Sequence, residues 1–82
     1  MELRGIKDLL SFLNYLKGIS ERQWFRLEFS RFDAITVEVY MPGILLEVDF
    51  FDDHIEYSTF EGDESVHDDQ ARLLSLIETR GR

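Results

Sequence analysis

The sequence predicts an α+β domain in which an N-terminal helix, a four-stranded antiparallel meander and a C-terminal helix form two layers. Apolar residues recur at helical spacing near both ends of the chain and alternate with polar residues in four central runs. Because each helix has one apolar stripe and the sheet one apolar face, we expect both helices to pack on the same sheet face. At 82 residues, with no linker-like segment, residues 1–82 are expected to form a single domain.

The first helix is predicted over residues 3–17. Its apolar residues follow the i, i+3, i+4, i+7 recurrence of an amphipathic helix, at Ile6, Leu9, Leu10, Leu13 and Leu16. Gly18 followed by Ile19 is a typical stop, since glycine can adopt a left-handed conformation and the next apolar residue folds back onto the last turn. We therefore expect the helix to end at Gly18.

Four strands are predicted from runs of alternating residues at 24–30, 34–41, 44–51 and 55–60. In the first run, Phe25, Leu27 and Phe29 are expected to point into the core, and Trp24 to point outward. Pro42-Gly43 and Asp52-Asp53-His54 supply turn residues between the later runs. Such short connections favour an antiparallel meander.

The last helix is predicted to start within the acidic stretch 63–69. Ser65 with Asp68 three residues later fits a capping box. Leu73, Leu74 and Ile77, with Val66 as a further candidate, would form its apolar stripe.

The opposite sheet face should be open and should mix carboxylates with aromatic side chains. Such a face is either an interaction surface or an ordinary solvated exterior, and the sequence leaves both open. If it binds a partner, aromatic residues would supply contact area and carboxylates would orient the partner. The candidate partner-binding residues are Glu38, Tyr40, Glu47, Asp49, Phe51 and Glu56.

Charge is unevenly distributed along the chain, whose formal net charge is -8. Residues 32–71 contain twelve Asp or Glu and no Lys or Arg. An acidic field of this kind repels nucleic acid and anionic lipid and favours a basic protein partner. General solubility is the alternative explanation of the same charge.

The residue content argues for binding rather than catalysis. Neighbouring carboxylates such as Glu47 and Asp49 are not expected to act as a general acid and base without a cleft that desolvates one of them. Neither His54 nor His67 has a recognised metal-ligand spacing, so we expect no catalytic residue, no metal and no cofactor. A small metal-dependent enzyme that uses His54 and neighbouring aspartates is a less favoured alternative.

The chain has no cysteine, no secretory leader pattern and no apolar run of the roughly 20 residues that a membrane span requires. We therefore expect a cytoplasmic protein that does not associate with a membrane.

Residues 42–62, PGILLEVDFFDDHIEYSTFEG, place a Pro-Gly turn, an alternating strand, an acidic turn and a second alternating strand in succession. This segment resembles one found in small bacterial immunity proteins, which bind and block toxins. The resemblance implies a non-catalytic, toxin-neutralising binding protein, but it transfers no functional residue. A homodimer formed through the aromatic face or an exposed strand edge, with no separate ligand, is the alternative function.

Overall fold

A computed structural model describes residues 1–60, 66–67 and 69–81. A short 3₁₀ turn, Ile6–Asp8, leads into the helix α1, and a second helix, α2, ends the described chain. The described residues between the helices form five strands. The elements are α1 (Leu9–Ile19), β1 (Phe25–Arg31), β2 (Ala34–Met41), β3 (Ile44–Phe51), β4 (Ile55–Phe60), β5 (Val66–His67) and α2 (Gln70–Arg80). The predicted α+β class is confirmed.

The strands form one antiparallel sheet in the order β1-β2-β3-β4-β5. Pro42 and Gly43 join β2 to β3, and Gly43 adopts a φ of 77°, which a residue with a side chain rarely tolerates. The four-stranded meander is therefore as predicted. β5 was not predicted, because its two residues lie inside an acidic stretch that has no alternating pattern.

Both helices pack on the inner face of the sheet. Phe12 of α1 lies 5.4 Å from Phe50 of β3, measured between ring centroids. Leu73 and Ile77 of α2 are buried in the same core cluster. Tyr15 Oη donates a hydrogen bond of 2.8 Å to Glu78 Oε1 and so ties the two helices together.

Gly18 does not end the first helix, contrary to the prediction. α1 continues to Ile19, and the N–H of Ser20 donates to the carbonyl of Leu16. Because the last turn closes with an ordinary helical hydrogen bond, no left-handed residue is needed there. Ile19 does pack against the core.

The second helix starts later than expected. α2 begins at Gln70, and Asp69 caps it by accepting a 3.2 Å hydrogen bond from the N–H of Arg72. Ser65 and Asp68, the predicted capping box, lie outside the described residues. Val66 pairs with Ser58 in the sheet, so its assignment to the helix stripe was wrong.

Trp24 is buried, with 1% of its surface exposed, and the prediction that it points outward was wrong. It precedes β1, so strand alternation does not fix the direction of its ring. The ring lies against Gly81 after α2, where a Cβ atom would come within 2.7 Å of the indole. The end of α2 thus covers Trp24.

The inner face is only partly covered at β1. Leu27 pairs with Val37 and therefore lies on the inner face as predicted. Phe25 is half-buried against the core. Leu27 and Phe29 are exposed, so the expectation that they are buried in the core was wrong. The physical reason is that the buried residues of α1 and α2 pack in one cluster with those of β2, β3 and β4.

No helix within the described ranges is long and apolar enough to cross a membrane.

Candidate functional site: the outer face of the sheet

The outer face is ordered in rows, because antiparallel register places outward residues of neighbouring strands side by side. At one end, Tyr40 lies opposite Leu45, which lies opposite Phe60. Tyr40 is 45% exposed, and the other two side chains are half-buried. This row, which we call the apolar row, supplies a narrow hydrophobic strip across three strands.

Carboxylates occupy the next two rows. Glu38 lies directly opposite Glu47, and Asp49 lies directly opposite Glu56. Like charges opposed across strands are destabilising, and β2, β3 and β4 contribute no Lys or Arg. We call these four residues the acidic cluster.

Glu47 is the least compensated member of the acidic cluster. Partial burial raises the pKa of its carboxyl, and the nearby charges of Glu38, Asp49 and Glu28 raise it further. Among the residues that the structure describes, no side chain forms a hydrogen bond or ion pair with it. A cation at this position would relieve the repulsion.

Glu38 and Asp49 are held in place by neutral or positive neighbours. Arg26 Nε lies 2.8 Å from Glu38 Oε1, and this hydrogen bond is the main reason that the pKa of Arg26 is raised. Thr36 Oγ1 donates a 2.5 Å hydrogen bond to Asp49 Oδ1. Glu38 is only 8% exposed, so it shapes the field of the cluster more than it offers a contact.

Phe51 lies on the outer face, but it is not available as an exposed anchor. It is 9% exposed. The His54 ring stacks on it with a centroid separation of 4.4 Å and an interplanar angle of 3°, and the Arg31 guanidinium lies 4.9 Å from its ring centroid. The exposed aromatic side chain of this face is Tyr40.

His54 stands at the edge of the acidic cluster. Its Nδ1 lies 2.7 Å from Asp53 Oδ1 and its Nε2 lies 3.1 Å from Glu56 Oε2. The hydrogen bond to Asp53, followed by that to Glu56, raises the pKa of the imidazole. The same contact lowers the pKa of Asp53.

The structure thus brings together five of the six predicted partner-binding residues. Glu38, Tyr40, Glu47, Asp49 and Glu56 are contiguous across β2, β3 and β4, whereas Phe51 lies beside them under Arg31 and His54.

The roles of Arg26 and Thr36 were missed. Alternation placed both residues outward, but the pairing of Arg26 with Glu38 and of Thr36 with Asp49 depends on strand register. A bulge between Glu28 and Arg31 shifts the register of β1, and no residue pattern in the sequence predicts this bulge.

Within residues 1–60, 66–67 and 69–81, no three His, Asp or Glu side chains converge on a point that could hold a metal ion.

Comparisons of the chain with protein-family models, with curated proteins and with solved structures gave no match.

Proposed function

We propose that this chain is a non-catalytic protein-binding domain whose outer sheet face binds a basic surface of another protein. The immunity-type form of the proposal, in which that partner is a toxin, takes its support from the resemblance of residues 42–62.

The observation that carries the proposal is the arrangement of the acidic cluster around Glu47. Its carboxylate is partly desolvated and opposed by Glu38, with Asp49 two residues along the same strand. A purely structural exterior gains nothing from such repulsion, since a Lys or Thr at the position of Glu47 would remove it. A Lys or Arg of a partner that reaches Glu47 would regain the lost free energy on binding.

The apolar row makes the candidate binding surface asymmetric. Tyr40, Leu45 and Phe60 border only one side of the acidic cluster, next to Glu38 and Glu47. A matching partner would have a cationic side chain beside a small apolar patch. Tyrosine suits such a contact, because it provides area at low entropic cost.

The proposal is tested by calorimetric titration with a peptide that alternates lysine and leucine. The Glu47→Gln/Asp49→Asn variant should bind this peptide about tenfold more weakly than the parent chain, which corresponds to about 1.4 kcal/mol. A peptide that alternates glutamate and leucine should not bind.

A matched control separates the face from net charge alone. Glu2→Gln/Glu21→Gln removes the same number of charges at exposed positions outside the strands and should leave affinity nearly unchanged. Equal weakening in both double variants would contradict the proposal, because it would show attraction to the chain as a whole.

The immunity-type form makes a further demand. If a neighbouring gene encodes a basic toxin, the purified chain should inhibit that toxin, and Glu47→Gln/Asp49→Asn should relieve the inhibition. Binding without inhibition would leave a binding domain and reject the immunity role.

A further inference from the structure

The edge strand β1 is open to another strand. β1 pairs with β2 on one side and stands first in the sheet order. Natural sheets usually protect such edges with proline, inward charges or a covering element. In the described chain, the protective device of β1 is a bulge between Glu28 and Arg31, and residues 25–28 remain in regular register with β2.

The backbone of this segment is oriented for pairing. The N–H of Tyr40 donates a 2.7 Å hydrogen bond to the carbonyl of Trp24. Since ladder groups alternate along an antiparallel strand, the N–H and C=O groups of Phe25 and Leu27 point to the open edge. Gln23 Nε2 donates to the carbonyl of Phe25 at 3.2 Å, as expected for a group on that edge.

The side chains of residues 25–29 are complementary to those of a second copy that runs antiparallel. The segment reads Phe-Arg-Leu-Glu-Phe, with aromatic residues at both ends, opposite charges on either side of the centre and Leu27 at the centre. When two copies pair antiparallel about Leu27, Arg26 of each lies opposite Glu28 of the other. The regular pairing ends there, because the bulge after Glu28 interrupts the alternation at Phe29.

The apolar surface at this edge lacks a cover among the described elements. Leu27, which lies on the inner side, is 46% exposed, and Phe29, which lies in the bulge, is 70% exposed. Phe29 and Phe32 also line an open cleft of about 220 Å³ with Ile6 and Ile35. Exposed apolar side chains along an unpaired edge are a surface that a second strand can bury.

We propose that two copies of this chain associate through β1, in antiparallel register centred on Leu27, to form one continuous sheet across a twofold axis. Charge complementarity favours a second copy over an unrelated strand, because this register places Arg26 of each copy opposite Glu28 of the other. These contacts between copies would add to the ion pairs that Arg26 forms within its own chain with Glu38 at 2.8 Å and with Glu28 at 3.9 Å. The twofold axis that relates two antiparallel strands is perpendicular to the sheet. The helices of both copies therefore lie on one side of the continuous sheet, and both acidic clusters lie on the other. The dimer would thus offer its acidic surface twice, although its formation does not depend on the proposed function of that surface.

Sedimentation equilibrium of the full chain tests the assembly. The parent chain should show a reversible monomer to dimer equilibrium. Glu28→Arg places a second arginine opposite Arg26 and should weaken the dimer about tenfold or more, since both symmetric ion pairs become repulsive. Glu21→Arg, an exposed site outside β1, makes the same charge change and should leave the dimer unaltered, and circular dichroism should show both variants folded.

Disulfide trapping tests the register independently. The chain has no cysteine, so Leu27→Cys introduces a single thiol, which the twofold axis places next to its own copy at about 5.5 Å between Cα atoms, within disulfide range. Mild oxidation should convert Leu27→Cys to a covalent dimer much faster than Ser11→Cys, an exposed site on α1.

Several outcomes would overturn the proposal. They are a parent chain that stays monomeric at high micromolar concentration, a dimer that survives Glu28→Arg, equal trapping of the two cysteine variants, and a series of oligomers that grows with concentration. The last would indicate an open head-to-tail assembly rather than a closed pair. Loss of peptide binding in Glu47→Gln/Asp49→Asn with an intact dimer would leave this inference standing.

Discussion

The two faces of the sheet use alternate residues of the same strands for opposite purposes. On the inner face, Val37, Val39, Leu46 and Val48 are fully buried beneath the helices. Each of them lies opposite another apolar residue across the strand pair. On the outer face, the residues between them include Glu38 and Glu47, whose opposed carboxylates repel each other. The difference teaches that one strand pair can stabilise the fold with one face while the carboxylates of the other face retain an electrostatic cost in the folded state.

Phe50 and Phe51 allow the sharpest test of this contrast, because they are adjacent residues of β3 on opposite faces. Phe50→Ala should lower the free energy of unfolding by about 3–5 kcal/mol, since Phe50 is fully buried and the truncation leaves a cavity. Phe51→Ala should cost less, about 1–2 kcal/mol, because Arg31 and His54 cover it only from the solvent side. Urea unfolding of both variants measures the two values, and equal losses would contradict the contrast.

Substitution of Gly5 tests the close packing between the segment before α1 and the β3–β4 turn. It adopts a φ of 154°, and an added Cβ would lie 2.6 Å from the carbonyl oxygen of Asp52 in the β3–β4 turn. Gly5→Ala should therefore destabilise the chain by about 1–3 kcal/mol.

Gly18→Ala is the matched control for Gly5→Ala. Gly18 is helical and a Cβ there meets nothing within 4 Å, so this substitution should stabilise the chain by about 0.5–1 kcal/mol. Thermal unfolding should move in opposite directions for the two variants. A shared direction would show that Gly5 is not under steric constraint.

The sequence was sufficient for the presence and order of the helices and the four main strands and for the faces of β2 to β4, because period and turn chemistry are local properties. It did not give the bounds of the helices, which are Leu9–Ile19 and Gln70–Arg80. Burial was harder to predict, because it depends on which element covers a residue. Trp24 lies beneath the end of α2, whereas Leu27 is on the correct face without a cover. The acidic and aromatic content of the outer face was also predictable. Its pairings, Arg26 with Glu38 and Thr36 with Asp49, required the register.

Glu47→Gln should separate stability from binding on the outer face. The raised pKa of Glu47 means that the folded state holds its proton more tightly than the unfolded state. Between the ordinary carboxyl pKa and this raised value, stability therefore falls as the pH rises, and at neutral pH the cost is fully present. Glu47→Gln should stabilise the chain by about 0.2–1 kcal/mol while weakening peptide binding.

Thermal unfolding at pH 7 and at pH 4, with Glu21→Gln as the control for an exposed carboxylate, checks the Glu47 prediction. The gain from Glu47→Gln should shrink at pH 4, where the carboxyl of the parent chain becomes protonated. Destabilisation by Glu47→Gln at neutral pH would mean that Glu47 contributes to the fold and would remove the main support for a ligand-binding role.

The smallest expected effect is that of His54, which lies at the edge of the acidic cluster. Its pKa should lie above 6.5, chiefly because of Asp53 and secondly because of Glu56. The stability that it contributes is then fully present below its unfolded pKa and is lost as the pH rises through the folded value. The chain has two histidines, so NMR titration of His67→Gln reports His54 alone.

Adding Asp53→Asn to that variant should lower the His54 pKa, whereas adding Glu21→Gln should not change it. A pKa that does not respond to Asp53→Asn would refute the assigned cause. If the response is found, protonated His54 partly neutralises Glu56 and weakens the acidic cluster at low pH. Binding of the lysine-containing peptide should then strengthen as the pH rises through the His54 pKa, which is the direction opposite to the stability that His54 supplies.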